Sequence, residues 1–174
     1  MKPVLILAMH GMPPRDFPKE EMAEYFRQYN PFHHHSPHGH DHGNTRFAEL
    51  DAKMRKWPRN PQNDTFYGAA YRLAECLKEA TGYPVVVGFN EFCAPDLHEA
   101  IDQAAGQGAD TIVVITPMMT PGGIHSEVDI PQTIKQSQAR HPAIRFEYVW
   151  PFDLRDVAGF LKGQIAHKIN PSLR

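Results

Sequence analysis

Four short apolar runs decide what this chain can fold into: Val4–Met9, Val85–Phe89, Thr111–Thr116 and Phe146–Val149. They are Val- and Ile-rich and nearly continuous instead of alternating. A strand that alternates buries one face, whereas a continuous apolar strand is covered on both, as in a parallel sheet sandwiched by helices. Between the runs the apolar period changes to that of a helix. Phe66, Ala69, Ala70, Leu73, Leu77 and Ala80 form one stripe, with Gly82 as its stop. Pro95 is expected to open a second helix through Leu97, Ile101, Ala104 and Ala105, and Pro131 a third carrying Ile134. Asp153 is expected to cap a last one, with Leu154, Val157, Leu161 and Ile165 on one face. Strand and helix in alternation give an α/β fold in three layers, a central, mostly parallel four-stranded sheet with helices on both faces. A length of 174 residues suits a single domain.

One segment interrupts that rhythm. About fifty residues separate the first strand from the helix near Phe66, where such a connection normally has 2–6. It has helical fragments of its own, Met22, Tyr25, Phe26 and Tyr29, then Phe47, Leu50, Met54 and Trp57, flanking HHHSPHGHDHG. We read residues 14–64 as an inserted helical, His-rich lid on a domain that spans 1–174, not as a second domain. Histidine is the conspicuous entry of the composition, 11 in all, six of them at His33, His34, His35, His38, His40 and His42. Imidazole is a common metal ligand and titrates near neutral pH. Six of them on one loop suit an accessory role in storing or delivering divalent metal better than a catalytic one.

In open parallel sheets, ligands bind beyond the carboxyl ends of the strands, at the point where strand order reverses. The first run delivers His10, followed by Gly11, to that edge. The second delivers Glu91, and the third leads through TPMMTPGGIHSEVDIP to His125. Two imidazoles and a carboxylate hold a divalent transition ion while leaving positions open, and the same groups serve as bases near neutral pH. Taken singly, each has a plainer reading: an ordinary hydrogen-bonding histidine, or a carboxylate at a helix start. Their shared edge favours the functional one. Thr116, Thr120 and Ser126, with the amides of Gly122 and Gly123, are candidates to receive carboxylate or phosphate oxygens of a substrate. Asp129, ahead of Ile130-Pro131, reads as a helix cap, and His98, His141 and His167 as surface residues.

The remaining composition excludes other classes. Eighteen Lys+Arg against twenty Asp+Glu, a formal charge of −2, gives no general pull toward nucleic acid or anionic lipid. No run reaches membrane-spanning length, and the N-terminal MKPVLILAMHGMPP lacks the pattern of a secretory signal. Cys76 and Cys93 make neither a CxxC pair nor a disulfide framework. The expected setting is the cytoplasm, with neither nucleic acid nor membrane as partner.

The strand ending in His10-Gly11, the acidic Glu91 closing the second strand and GGIHSEVDIP after the third resemble the short, single-domain CbiX-type sirohydrochlorin cobaltochelatases of the class II chelatase group. The specific element is Gly123-x-His125 followed by Asp129-Ile130-Pro131. The resemblance covers most of the chain apart from the insertion; related sequences carry Ser where this chain has Met12-Pro13. It implies a chelatase-like (flavodoxin-like) fold. It also implies a lyase that inserts cobalt, with nickel or ferrous iron as alternatives, into sirohydrochlorin or a related tetrapyrrole. His10 and His125 would then handle metal and protons with Glu91 assisting, and the metal is a substrate, not a tightly bound cofactor. The short members carry half of a two-fold-symmetric chelatase, which implies a homodimer. The competing reading is a non-catalytic metal-binding or metallochaperone protein that uses the His-rich loop.

Overall fold

A computed structural model describes residues 2–29 and 45–169 of the chain. Four parallel strands form one sheet: β1 Pro3–Met9, β2 Val85–Phe89, β3 Thr111–Ile115 and β4 Arg145–Val149, in the order β2-β1-β3-β4. The apolar runs thus mark the strands to within a residue, and the three-layer α/β expectation holds. The chain leaves β1 toward β2 on one side and returns to β3 on the other, so order reverses between β1 and β3.

Helix α3, Thr65–Thr81, connects β1 to β2. It starts where the Asp64 side chain accepts from the Tyr67 amide, and stops at Gly82, whose φ of 73° suits a residue without Cβ. Helix α4, Leu97–Gly106, opens on a capping box in which Asp96 and Glu99 satisfy each other's backbone N–H groups. Pro95 therefore precedes this helix; Asp96 is the residue that starts it. Helix α5, Ile130–Arg140, continues directly from one π-helical turn, His125–Asp129.

The sheet has a core on each face. Val4, Ile6, Ala8, Ile112 and Val114 pack under Ala100, Ile101 and Ala104 of α4 and Ile130 of α5. On the opposite face Leu7, Met9, Val87 and Phe89 pack with Ala70 and Ala74 of α3. The insertion contributes to that second core through α1, Lys19–Gln28, with buried Tyr25, and α2, Thr45–Arg55, with buried Leu50 and Met54. Histidines 33, 34, 35, 38, 40 and 42 lie outside the described residues.

The β4 edge is different. Helix α6, Leu154–Ile169, buries none of its residues, and its expected core stripe is open to solvent, Leu154 at 57% and Ile165 at 58% exposed. Register continues the second core from Leu7 through Ile115 to Val149, yet Val149 is 39% exposed and its neighbour Glu147 is exposed. Among the described residues, no helix covers this half of the sheet face. Among the described residues, no helix is long and apolar enough to cross a membrane. Cys76 and Cys93 are free thiols, the first exposed and the second buried.

Candidate metal centre

His10 immediately follows β1, Glu91 lies in the connection between β2 and α4, and His125 opens the π-helical turn after β3. The predicted convergence occurs. His10 Nδ1 donates to Glu91 Oε1 at 3.0 Å, and His125 Nε2 lies 3.5 Å from the same oxygen. The two imidazoles meet edge to face with centroids 4.5 Å apart. One nitrogen from each ring and one carboxylate oxygen fall within 4.8 Å of one another, a spacing that suits one ion. Glu91 precedes α4 by six positions, so it is not that helix's N-terminal carboxylate.

Backbone packing enforces the approach. A Cβ on Gly11 would lie 1.6 Å from the carbonyl oxygen of Glu91, so only glycine lets the connection after β1 close against that after β2. Arg59, from the end of the insertion, ties the same two connections together. Its guanidinium donates to the carbonyls of Met12 and Phe92 at 2.6 and 2.5 Å, and pairs with buried Asp64 at 2.8 Å.

Asp129 is a residue whose part sequence reading missed. Its side chain makes no capping hydrogen bond; it accepts from His125 Nδ1 at 2.5 Å. The signal was the i, i+4 spacing of His125 and Asp129, which the π-helical turn retains as a contact. A carboxylate on Nδ1 fixes the ring and leaves Nε2 facing Glu91 Oε1, an arrangement common behind metal-binding histidines. Burial opposes a charge on His125, but hydrogen bonds to Asp129 and Glu91 and their negative charges outweigh it and raise its pKa to about 9. Burial likewise disfavours the Glu91 carboxylate, while hydrogen bonds from His10, His125 and Tyr29 hold it below the usual carboxylate range. The metal-free centre thus carries imidazolium between two carboxylates.

The other candidates divide. Thr120, Gly122 and Gly123 are exposed on the loop that precedes His125. Thr116 and Ser126 are buried, with the Thr116 hydroxyl accepting from the Met118 amide and the Ser126 hydroxyl donating to the Gly123 carbonyl. The Gly122 amide is given to Glu127 Oε1 at 2.6 Å. Thr116 and Ser126 hold the loop's shape from inside, so its open rim is Thr120 through Gly123. His98 sits against Ser137 and Arg140, and His141 against Asp102, away from the cluster.

Similarity to known proteins follows the same residues. A family model, CbiX, matches residues 62–158, which include Glu91, His125 and Asp129. The sirohydrochlorin cobaltochelatase of Methanopyrus kandleri is 39% identical over 64 residues, 36% of this chain and 44% of that protein. That of Methanocaldococcus jannaschii is 37% identical over 71 residues, 40% of this chain and 49% of that one. The chain therefore spans less than half the length of these relatives. Among solved structures, a CbiX protein of Marinobacter aquaeolei VT8 is similar over 97% of this chain and 98% of its own, with a TM-score of 0.52 at 15% identity. The sirohydrochlorin chelatase SirB of Bacillus subtilis subspecies spizizenii, solved in complex with cobalt, is similar over 87% of this chain but 44% of its own, with a TM-score of 0.50 at 19% identity. Because the family model covers more than half of its 174 residues, this chain belongs to the CbiX family.

Proposed function

We propose that the chain is a chelatase that inserts a divalent ion into sirohydrochlorin or a closely related tetrapyrrole. Cobalt is the first choice, nickel and ferrous iron being the other ions these ligands accept. The observation that carries the reading is the meeting of His10, Glu91 and His125 at the strand-order reversal, with Asp129 behind His125. The names of the M. kandleri and M. jannaschii relatives support sirohydrochlorin as substrate.

Insertion exchanges one divalent ion for two pyrrole N–H protons. His10, Glu91 Oε1 and His125 Nε2 receive the ion, which displaces the proton that His125 carries in the metal-free centre. As the ion passes to the ring nitrogens, His125 and His10 regain free lone pairs and take up the pyrrole protons, while the Glu91 carboxylate stays ionised and balances their charge. Asp129 stabilises the imidazolium that forms, which makes His125 an acceptor at neutral pH. The exposed loop from Thr120 to Gly123 is placed to meet carboxylates on the macrocycle rim, while buried Thr116 and Ser126 keep that loop in shape. The insertion, residues 14–64, acts as a lid over this edge, and its histidines at 33, 34, 35, 38, 40 and 42 as an accessory metal-delivery tract.

The working unit is a homodimer. The bare α6 and the uncovered half of the sheet face complement each other, and SirB, of which this chain covers 44%, has room for two such units in one polypeptide. The α6 of each copy lying on the open half-face of the other satisfies both.

The test is a metal-by-metal insertion assay with sirohydrochlorin, read by absorbance. Wild type is expected to convert the spectrum with cobalt, and His125→Ala to abolish conversion with the circular dichroism spectrum unchanged. Metal binding without any spectral change would make the protein a metallochaperone instead. In the same assay, removing residues 33–42 is expected to slow turnover only when cobalt is limiting; equal activity at every cobalt level would dismiss the delivery role.

A further inference from the structure

The Glu91 carboxylate has two oxygens, and they face different parts of the molecule. Oε1 lies against the two imidazoles. Oε2 accepts a hydrogen bond from the hydroxyl of Tyr29, a residue of the insertion. Tyr29 follows α1 directly and is fixed there by its amide, which donates to the Tyr25 carbonyl at 2.9 Å. Its ring stacks on Tyr25 with centroids 5.6 Å apart and sits 5.4 Å from Phe92, the residue next to Glu91. Tyr25 in turn is buried and donates to Asp51 of α2 at 2.9 Å. The phenol is thus anchored by the insertion's own core and delivered to the carboxylate from the side away from the histidines.

We infer that Tyr29 is a positioning residue for the metal centre: by holding Oε2 it fixes the rotation of the Glu91 carboxylate, so that Oε1 alone is presented between His10 and His125. This rests on the chelatase reading only in taking those three residues as the ion's ligands. A carboxylate with both oxygens unrestrained rotates about its terminal torsion and spends part of its time with neither oxygen in line with the two nitrogens. Hydrogen-bond partners behind metal ligands typically change metal affinity 10–100-fold. The geometry gives the insertion a part in the centre itself, since the core built by α1 and α2 sets the orientation of a ligand supplied by the β2–α4 connection.

The probe is cobalt(II) alone, titrated into metal-free full-length protein by calorimetry and followed by visible absorbance. Tyr29→Phe keeps the ring contacts with Tyr25 and Phe92 and deletes only the hydroxyl. It is expected to weaken cobalt binding about tenfold and to alter the intensity of the cobalt d–d bands, while the melting temperature stays close to that of wild type. In a Glu91→Ala background the same substitution is expected to change cobalt affinity less than twofold, because its target oxygen is gone. A wild-type affinity in Tyr29→Phe, or a tenfold loss that persists without Glu91, would overturn the role of Tyr29 while leaving the three ligands in place. Equal cobalt affinity in wild type and His125→Ala would overturn the ligand set and this inference with it.

Discussion

The two flanks of the sheet are built to different degrees of completion. On the β1–β2 flank every layer is present: α3, α1 and α2 cover Leu7, Met9, Val87 and Phe89, and Arg59 pins the connections beyond them. On the β4 flank the same face runs out into Val149 and Glu147, and the helix that should cover it, α6, stands with its apolar residues in solvent. An uncovered apolar helix carries a risk of aggregation, and exposure of this kind is the ground for the dimer proposed above. The contrast teaches where rigidity is needed. His10 and Glu91 come from the completed flank, whereas the open flank is the surface assigned to the proposed dimer.

The severest way to break that contrast is to loosen the completed flank at Gly11. Gly11→Ala places a methyl group on the Glu91 carbonyl, which is backbone and can yield only if one connection moves by more than an ångström. Displacements of that size commonly cost about 100-fold in turnover. We expect that loss in the insertion assay, with a melting temperature lowered by several degrees. Turnover within threefold of wild type would mean that the two connections adapt, and that the flank is less rigid than its packing implies.

A milder intervention sharpens the comparison from the other side. Leu161→Glu on α6 puts a charge into the exposed apolar stripe, on an element that carries none of His10, Glu91 and His125. Sedimentation equilibrium is expected to show wild type as a dimer and the variant as a monomer at low micromolar concentration, because stable interfaces exclude unpaired charge from their centres. Cobalt affinity per chain should remain within twofold of wild type, since His10, Glu91 and His125 are carried by other elements. A variant that stays dimeric, or a wild type that is monomeric, would remove α6 from the interface.

The sequence made one of these flanks legible and misled on the other. Continuous Val/Ile runs identified β1, β2 and β3, and the shorter Phe146–Val149 run identified β4; the placement of His10, Glu91 and His125 at strand ends was enough to bring them together. The 3.6-residue stripe on α6 was just as clear, yet it reads only as apolar, and periodicity cannot say whether the cover is the chain's own core or another copy. Asp129 and Tyr29 escaped for a related reason. Asp129 lies where a capping residue would, and its carboxylate instead meets His125 along the π-helical turn. Tyr29 belongs to an aromatic stripe, and nothing in that stripe reveals that its hydroxyl ends on a carboxylate 62 positions away.

The smallest expected effect concerns the charge held at the junction of the two flanks, where His125 of the β3 connection meets Glu91 of the β2 connection. In the metal-free fold the His125 pKa is about 9 against 6.5 for an ordinary histidine. A group whose pKa is raised by folding binds its proton more tightly in the native state, so its contribution is fully present below 6.5 and is lost as pH rises through 9. Metal-free wild type should therefore lose stability relative to His125→Gln between those limits. A difference of about 1 kcal/mol corresponds to roughly 2–4 °C in melting temperature for a chain of this size. Differential melting of the two proteins in chelator across that range checks it. A constant difference would mean that the imidazolium is not held between Glu91 and Asp129, and that the two flanks meet through packing alone.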